Sequence, residues 1–141
     1  MTPGLLMKKL PMSDESTLVA AAAEVRLLSY SPYSGFAVGA ALLTVGGGLF
    51  TACNVENVSY GLSVCAERAV ILKAVSEGER DFAVLAVVCE PSKGCVPCGA
   101  CLQFLAEFNP QLKLILADTA GACRITSVAE LLPEPFGGNS G

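Results

Sequence analysis

Phe82-Ala83-Val84-Leu85-Ala86-Val87-Val88-Cys89 places the tightest constraint on architecture. It is apolar at every position, without the alternation of a strand that shows one face to water. Such a run reads as a strand buried on both faces, with helices on both sides of its sheet. Leu112–Ala117 is a second buried run. Between them Gly99–Phe108 has helical length and stops at Asn109-Pro110, because the residue before a proline is pushed out of helical backbone. Pro91–Pro97 is a loop. On the N-terminal side, a helix over Val64–Ser76 ends at Gly78. Before it, Phe36–Thr44 and Leu49–Val55 flank Gly46-Gly47-Gly48 as a hairpin, and Ser59–Gly61 is a loop. Leu18, Ala21, Ala22, Val25 and Leu28 recur at helical spacing. They predict a first helix, capped by Ser13 or Ser16 and running to about Tyr30, where Ser31-Pro32-Tyr33-Ser34-Gly35 breaks it. Arg124–Ser127 reads as a short last strand, and Val128–Leu132 as a helical turn closed by Pro133. The order predicts an α/β fold, a three-layer α-β-α sandwich around a mixed five-stranded sheet. One domain is expected over residues 13–137, with a flexible N-terminus (1–12) and a flexible tail (138–141).

The chain has 141 residues, seven cysteines and no histidine. One domain of ordinary size is expected. Without histidine there is no Ser-His-Asp triad, no Cys-His pair and no histidine-ligated metal. A soft-ligand metal would have to be held by thiolates, and proton transfer near neutrality falls to a carboxylate, lysine, tyrosine or thiol. The net charge of −4 gives no general attraction to nucleic acid or to an anionic membrane. Charged residues make up only 16% of the chain, against about 25% in typical soluble domains. That sparseness points to a dry core or to surface covered by other subunits. It also raises a membrane helix, since no charge falls between Arg26 and Glu56. The loop at 31–35 and the glycine turn at 46–48 break that stretch into strand-length pieces and argue against it. The stretch Lys8-Lys9-Leu10-Pro11-Met12-Ser13-Asp14 lacks a signal-peptide apolar core. A cytoplasmic protein is expected, in which closely spaced cysteines more often bind metal than pair as disulfides.

The chemistry concentrates where two helices begin. Cys98-Gly99-Ala100-Cys101 is a C-x-x-C preceded by Pro97, and Cys65-Ala66-Glu67-Arg68 opens the other helix. Helix N-termini favour thiolate over thiol. Three thiolates leave the fourth tetrahedral position of a zinc ion open for water, the arrangement of a catalytic site. Glu67, two residues after Cys65, is placed to exchange a proton with that water. Arg68 would offset the negative charge of three thiolates. A competing reading uses Cys95-x-x-Cys98-x-x-Cys101, alone or with Cys65, as an iron–sulfur or closed four-thiolate site, a non-catalytic metal module. Cys53, Cys89 and Cys123, in or beside apolar strands, read as core residues. Asn54 and Glu56, two apart at a strand end, share a face. An amide and a carboxylate so placed can jointly hold a hydroxyl.

Together these residues resemble the small zinc-dependent cytidine deaminases of pyrimidine salvage. The matching stretches are Ser31-Pro-Tyr-Ser-Gly-Phe-Ala-Val-Gly-Ala-Ala-Leu-Leu, Cys53-Asn-Val-Glu-Asn-Val-Ser-Tyr-Gly, Cys65-Ala-Glu-Arg, Pro97-Cys-Gly-Ala-Cys and Glu130-Leu-Leu-Pro-Glu-Pro-Phe136-Gly. They span about residues 13 to 137. The resemblance implies one zinc per chain on Cys65, Cys98 and Cys101, with Glu67 as the proton shuttle between water, N3 of cytosine and the leaving amine. It implies that cytidine and deoxycytidine are hydrolysed to uridine and deoxyuridine with release of ammonia. Phe36 would stack on the base, the backbone of Ala66 would contact it, and Asn54 and Glu56 would hold the ribose, where a buried carboxylate would repel a phosphate and favour a nucleoside over a nucleotide. A homotetramer is implied, with Phe136 reaching a neighbour's site and Tyr60 and Tyr33 at the interface or site edge. No nucleic-acid or membrane partner is expected. A related reading is a deaminase of another cytosine nucleoside, such as a blasticidin-type antibiotic. One departure stands out: Leu102 follows the last zinc cysteine where the family commonly has arginine, so Arg68 is left as the sole cation in the motif.

Overall fold

The computed structural model describes residues 15–91 and 94–137. The expected flexible ends, 1–12 and 138–141, and the cap at Ser13 lie outside the described residues. The chain runs α1 (Glu15–Arg26), β1 (Gly39–Thr44), β2 (Leu49–Cys53), a 3₁₀ turn (Tyr60–Leu62), α2 (Ala66–Ser76), β3 (Phe82–Cys89), α3 (Gly99–Phe108), β4 (Lys113–Asp118), β5 (Cys123–Ser127) and α4 (Val128–Leu131). The five strands form one mixed sheet in the order β2-β1-β3-β4-β5. β3 and β4 are parallel, and the other neighbours are antiparallel.

The unbroken apolar run of β3 has a direct cause. Successive side chains point to opposite faces, and both faces are covered. Val84, Ala86 and Val88 join Ala41, Leu43, Ile115 and Ala117 beneath Leu18 and Ala22 of α1. Leu85 and Val87 join Leu42, Leu114 and Leu116 beneath Val70 and Ile71 of α2, Leu102 and Leu105 of α3 and Val128 of α4. The result is the expected α-β-α sandwich. Leu85, Leu114 and Ile71 are wholly buried, so truncating any of them to alanine costs about 2–5 kcal/mol.

At Gly39 the sheet meets α1 so closely that a Cβ there would lie 2.0 Å from the Ala22 carbonyl oxygen and 2.8 Å from the Arg26 amide nitrogen. Only glycine permits this approach. Just before it, the Arg26 guanidinium donates to the Ala37 carbonyl at 2.9 Å. The C-terminal end of α1 is therefore tied to the segment that leads into β1.

Several boundaries differ from the sequence reading. α1 is helical from Glu15, which places Ser16 inside the helix, and it stops at Arg26 rather than Tyr30. Residues 27–29 tighten into three-residue hydrogen bonds, and the Tyr30 N–H is taken by the Asn54 carbonyl at 3.1 Å. β1 begins at Gly39 rather than Phe36, because side-chain bonds from Asn54 engage the backbone of residues 36 and 38. α2 begins one residue after Cys65, which caps it. β5 is a full strand at the sheet edge. Cys123 sits exposed on that edge and is not a core residue; Cys53 is half-buried. Among the described residues no helix is long and apolar enough to cross a membrane.

Candidate active site

Crossing from the sheet, α2 and α3 aim their N-termini at one point. Cys65 caps α2 and Cys98 caps α3, in both cases with no side-chain capping bond, and Cys101 lies in the first turn of α3. The three sulfurs lie within 4.8 Å of one another. Thiolates about 2.3 Å from a tetrahedral zinc sit about 3.8 Å apart, so this donor set fits one ion with little closure. Cys101 is buried, whereas Cys65 and Cys98 also line a cleft. The cluster is thus rooted in the core and open on one side.

The electrostatics favour a thiolate at Cys65. The Cys101 thiol hydrogen-bonds to Cys65 and pulls it down to about 5, with Arg68 assisting; Cys101, as the partner keeping its proton, is pushed up. The Arg68 guanidinium lies 3.7 Å from the Cys65 sulfur and donates to the Ser63 carbonyl at 3.4 Å. Its own value is raised by that thiol contact. Leu102 is buried in the core beside α2 and brings no second cation.

Glu67 is only 6% exposed and lines the same cleft. Burial pushes its carboxyl up to about 7, and the negative charge of Cys65 adds to the effect. A carboxyl that gains and loses its proton near neutrality suits general acid–base work.

The cleft has a volume of about 280 Å³ and is walled by Phe36, Val38, Asn54, Glu56, Val64, Ala66 and Val96 besides the site cysteines. Phe36, Asn54, Glu56, Ala66 and Glu67 are therefore brought together as the sequence suggested. Ala66 is the first residue of α2, its side chain buried. A second depression of about 350 Å³ continues past Ser34, Glu56 and Ser63 to Tyr33 and Tyr60. The two tyrosine rings meet edge-on at 6.4 Å.

Two serines unremarked in the sequence organise this wall. The Asn54 amide donates to the Phe36 carbonyl at 2.8 Å and accepts from the Val38 N–H at 3.0 Å and from the Ser29 hydroxyl. Glu56 accepts from the N–H groups of Tyr33 and Ser34, at 2.9 and 3.1 Å, and from the Ser34 hydroxyl. The Ser34 hydroxyl above all holds Glu56 below the usual carboxylate range. Glu56 is half-exposed at the cleft rim, not buried as expected, because its neighbours at 57–60 lie on the surface. No local pattern pairs Ser34 with a carboxylate 22 residues away; folding creates that contact.

Tyr60 and Phe136 point away from this chain's own core, at 77% and 91% exposure. The Gln103 amide clamps the Phe136 backbone to α3, accepting from its N–H at 2.8 Å and donating to its carbonyl at 3.1 Å. The ring is presented outward from a fixed base.

Cys95 is bonded to Cys89 as a disulfide. That removes it from the ligand set and overturns both the four-thiolate module and the C-x-x-C-x-x-C cluster. It also corrects the reading of Cys89 as a plain core thiol and the expectation that these cysteines would not pair.

Residues 12–117 match the family model for the cytidine and deoxycytidylate deaminase zinc-binding region. The chain belongs to this family. A cytidine deaminase of Sporosarcina psychrophila is 44% identical over 124 residues, covering 87% of this chain and 91% of its own length. The crystal structure of cytidine deaminase from Burkholderia pseudomallei superposes with a TM-score of 0.84 at 46% identity, covering 86% of this chain and 98% of that one. The Mycobacterium tuberculosis cytidine deaminase structure gives 0.76 at 40% identity, covering 87% and 97%. The deaminase fold, with its mixed sheet and helices on both faces, is thus shared with these structures. The thiolate cluster described above falls inside the matched zinc-binding region.

Proposed function

We propose that this chain is a zinc-dependent cytidine deaminase that hydrolyses cytidine and deoxycytidine to uridine and deoxyuridine in pyrimidine salvage, releasing ammonia. The observation that carries this reading is the buried Glu67 carboxyl, raised by that burial, lining a cleft of about 280 Å³ with two of three convergent thiols. Cys65, Cys98 and Cys101 would hold zinc, which when bound acidifies water and so supplies the attacking oxygen for C4 of the cytosine. Glu67 carries protons, first onto ring N3 and then onto the leaving amine. Arg68 offsets the thiolate charge. Phe36 stacks on the base and the backbone of Ala66 contacts it. Asn54 and Glu56 receive the sugar. Glu56, held anionic by Ser34, repels a phosphate and favours nucleosides over nucleotides.

The working unit is a homotetramer in the cytoplasm, with Phe136 and Tyr60 serving a neighbouring site. The support is apolar surface: Leu27, Leu28, Val58, Tyr60, Leu62 and Phe136 are all more than two-thirds exposed in one chain. The test follows cytidine absorbance and ammonia release together in wild type and Glu67→Gln. Equimolar loss of cytidine and gain of ammonia is expected in wild type. Loss of the proton carrier should lower kcat by about 10²–10⁴ with zinc content unchanged. Ammonia release at the wild-type rate in Glu67→Gln would overturn the assigned role.

A further inference from the structure

The Cys89–Cys95 disulfide lies outside the thiolate cluster, and the reaction does not use it. Its two ends differ in a telling way. Cys89 is the last residue of β3, wholly buried, in register with Asp118 of β4, and its carbonyl accepts from the Thr119 N–H at 3.0 Å. It belongs to the rigid centre of the sheet. Cys95 is half-buried and lies three residues before Cys98. Between them Val96 lines the cleft and Pro97 is buried. With the bond closed, the Cys95 Cα is held 5.7 Å from that of Cys89. The covalent route from the sheet to Cys98 is then three residues long. With the bond open, the route runs through all of residues 90–97. The other five cysteines are free thiols. In the cytoplasm, the compartment proposed above, an isolated disulfide exchanges with the thiol pool and serves as a sensor rather than as a permanent staple.

We propose that Cys89–Cys95 is a redox-dependent latch that fixes the segment delivering Cys98 to the metal and Val96 to the cleft. The exchange partner is a low-molecular-weight disulfide of the glutathione type. The Cys95 thiolate, the accessible one, attacks a sulfur of that disulfide and expels one glutathione thiolate. The Cys89 sulfur then attacks Cys95 in the mixed disulfide and expels the second. The protein pair gives up two protons and two electrons, and glutathione disulfide becomes two glutathiones. The reverse exchange opens the latch. Closed, it holds the N-terminus of α3 against the end of β3; open, it lets Cys98 move and the metal exchange faster. The proposal rests on the zinc-deaminase reading of the site.

Zinc-loaded protein is equilibrated across a glutathione/glutathione disulfide series. Free thiols are counted by alkylation and intact mass, and zinc release to a chromogenic chelator is timed, with tris(2-carboxyethyl)phosphine marking the fully reduced end. Wild type should lose two alkylatable thiols at the oxidised end. It should release zinc at least threefold more slowly there, with cytidine KM lower and kcat little changed. Cys95→Ser should release zinc at the reduced wild-type rate across the whole series. Equal release at both ends in wild type overturns the latch. So does a redox dependence that survives in Cys95→Ser, which would place the sensitive thiols in the zinc site. Redox-dependent zinc release without cytidine turnover refutes the deaminase reading and leaves the latch standing; turnover without redox dependence does the reverse.

Discussion

Gly39→Ala is the substitution whose consequence the structure fixes most tightly. The added Cβ would lie 2.0 Å from the Ala22 carbonyl oxygen, about 1.4 Å inside the distance at which ordinary contact begins, and two of its three nearest neighbours are backbone atoms. No rotamer change relieves that clash. α1 must lift from the sheet, pulling Leu18 and Ala22 off Ala41 and Leu43. Overpacking against backbone costs about 2–3 kcal/mol. For a domain of this size that is a fall in melting temperature of roughly 10 °C. The function should suffer by a separate route. The Arg26 side chain holds the Ala37 carbonyl, and residues 36 and 38 hang on Asn54, so moving α1 displaces Phe36 and Val38 from the cleft wall. The thiolate cluster, on the opposite layer of the sandwich, should be untouched. The expected pattern is a lower melting temperature and a higher KM for cytidine, with zinc content and kcat near wild type. Thermal melts at matched protein concentration, metal analysis and steady-state kinetics read these out. A variant melting within 2 °C of wild type with unchanged KM would refute the argument that this contact sets the spacing of helix and cleft wall.

Arg68→Gln should lower kcat and zinc affinity by about 10–100-fold, because Leu102 offers no second cation. Steady-state kinetics beside a relative carrying arginine at that place should show the smaller loss in the relative; equal losses reject the sole-counterion role. Ser34→Ala removes the largest cause of the lowered Glu56 value. A carboxylate lowered in the folded state stabilises above its unfolded value near 4.5, and that contribution is lost as pH falls through the lowered folded value. In the variant, the stability lost on acidification should therefore be smaller and complete at higher pH, and the accompanying rise in KM should begin at higher pH; superimposable profiles count against it. Phe136→Ala should leave the fold of each chain within about 0.5 kcal/mol, since the ring touches little of its own chain, yet raise KM. Mixing it with Glu67→Gln chains should restore sites built from the good half of each, and a mixture no better than its parts argues against shared sites.

The disulfide alters how the cysteines divide. Three converge within 4.8 Å as a set that could hold a metal ion, two form a bond beside them, Cys53 is half-buried and Cys123 is exposed. Spacing alone admits Cys95 as a rival ligand, since it sits at the same spacing from Cys98 as Cys98 does from Cys101. The helix explains why it is not one. Cys98 and Cys101 are placed by the first turn of α3, so both sulfurs face the same point. Cys95 lies ahead of the helix on irregular chain, where the end of β3 reaches it first.

Much of this protein was legible from residues in a row. The apolar run at 82–89 implied a sheet covered on both sides, and Pro97-Cys98-Gly99-Ala100-Cys101 with Cys65-Ala66-Glu67-Arg68 implied thiolates at helix starts. These are local properties: period, capping and spacing within one or two turns set them before the chain folds. What the sequence left open depended on contacts between distant segments. Glu56 meets Ser34 across 22 residues, Asn54 is spent partly on the backbone of residues 36 and 38, Gln103 grips Phe136 across 33, and Cys89 closes on Cys95 over a loop with no periodic pattern. Such pairings follow from where the sheet order and the parallel β3–β4 crossover bring the loops. Loop backbone carries no periodicity from which its partners can be read, so only the packed layers select them.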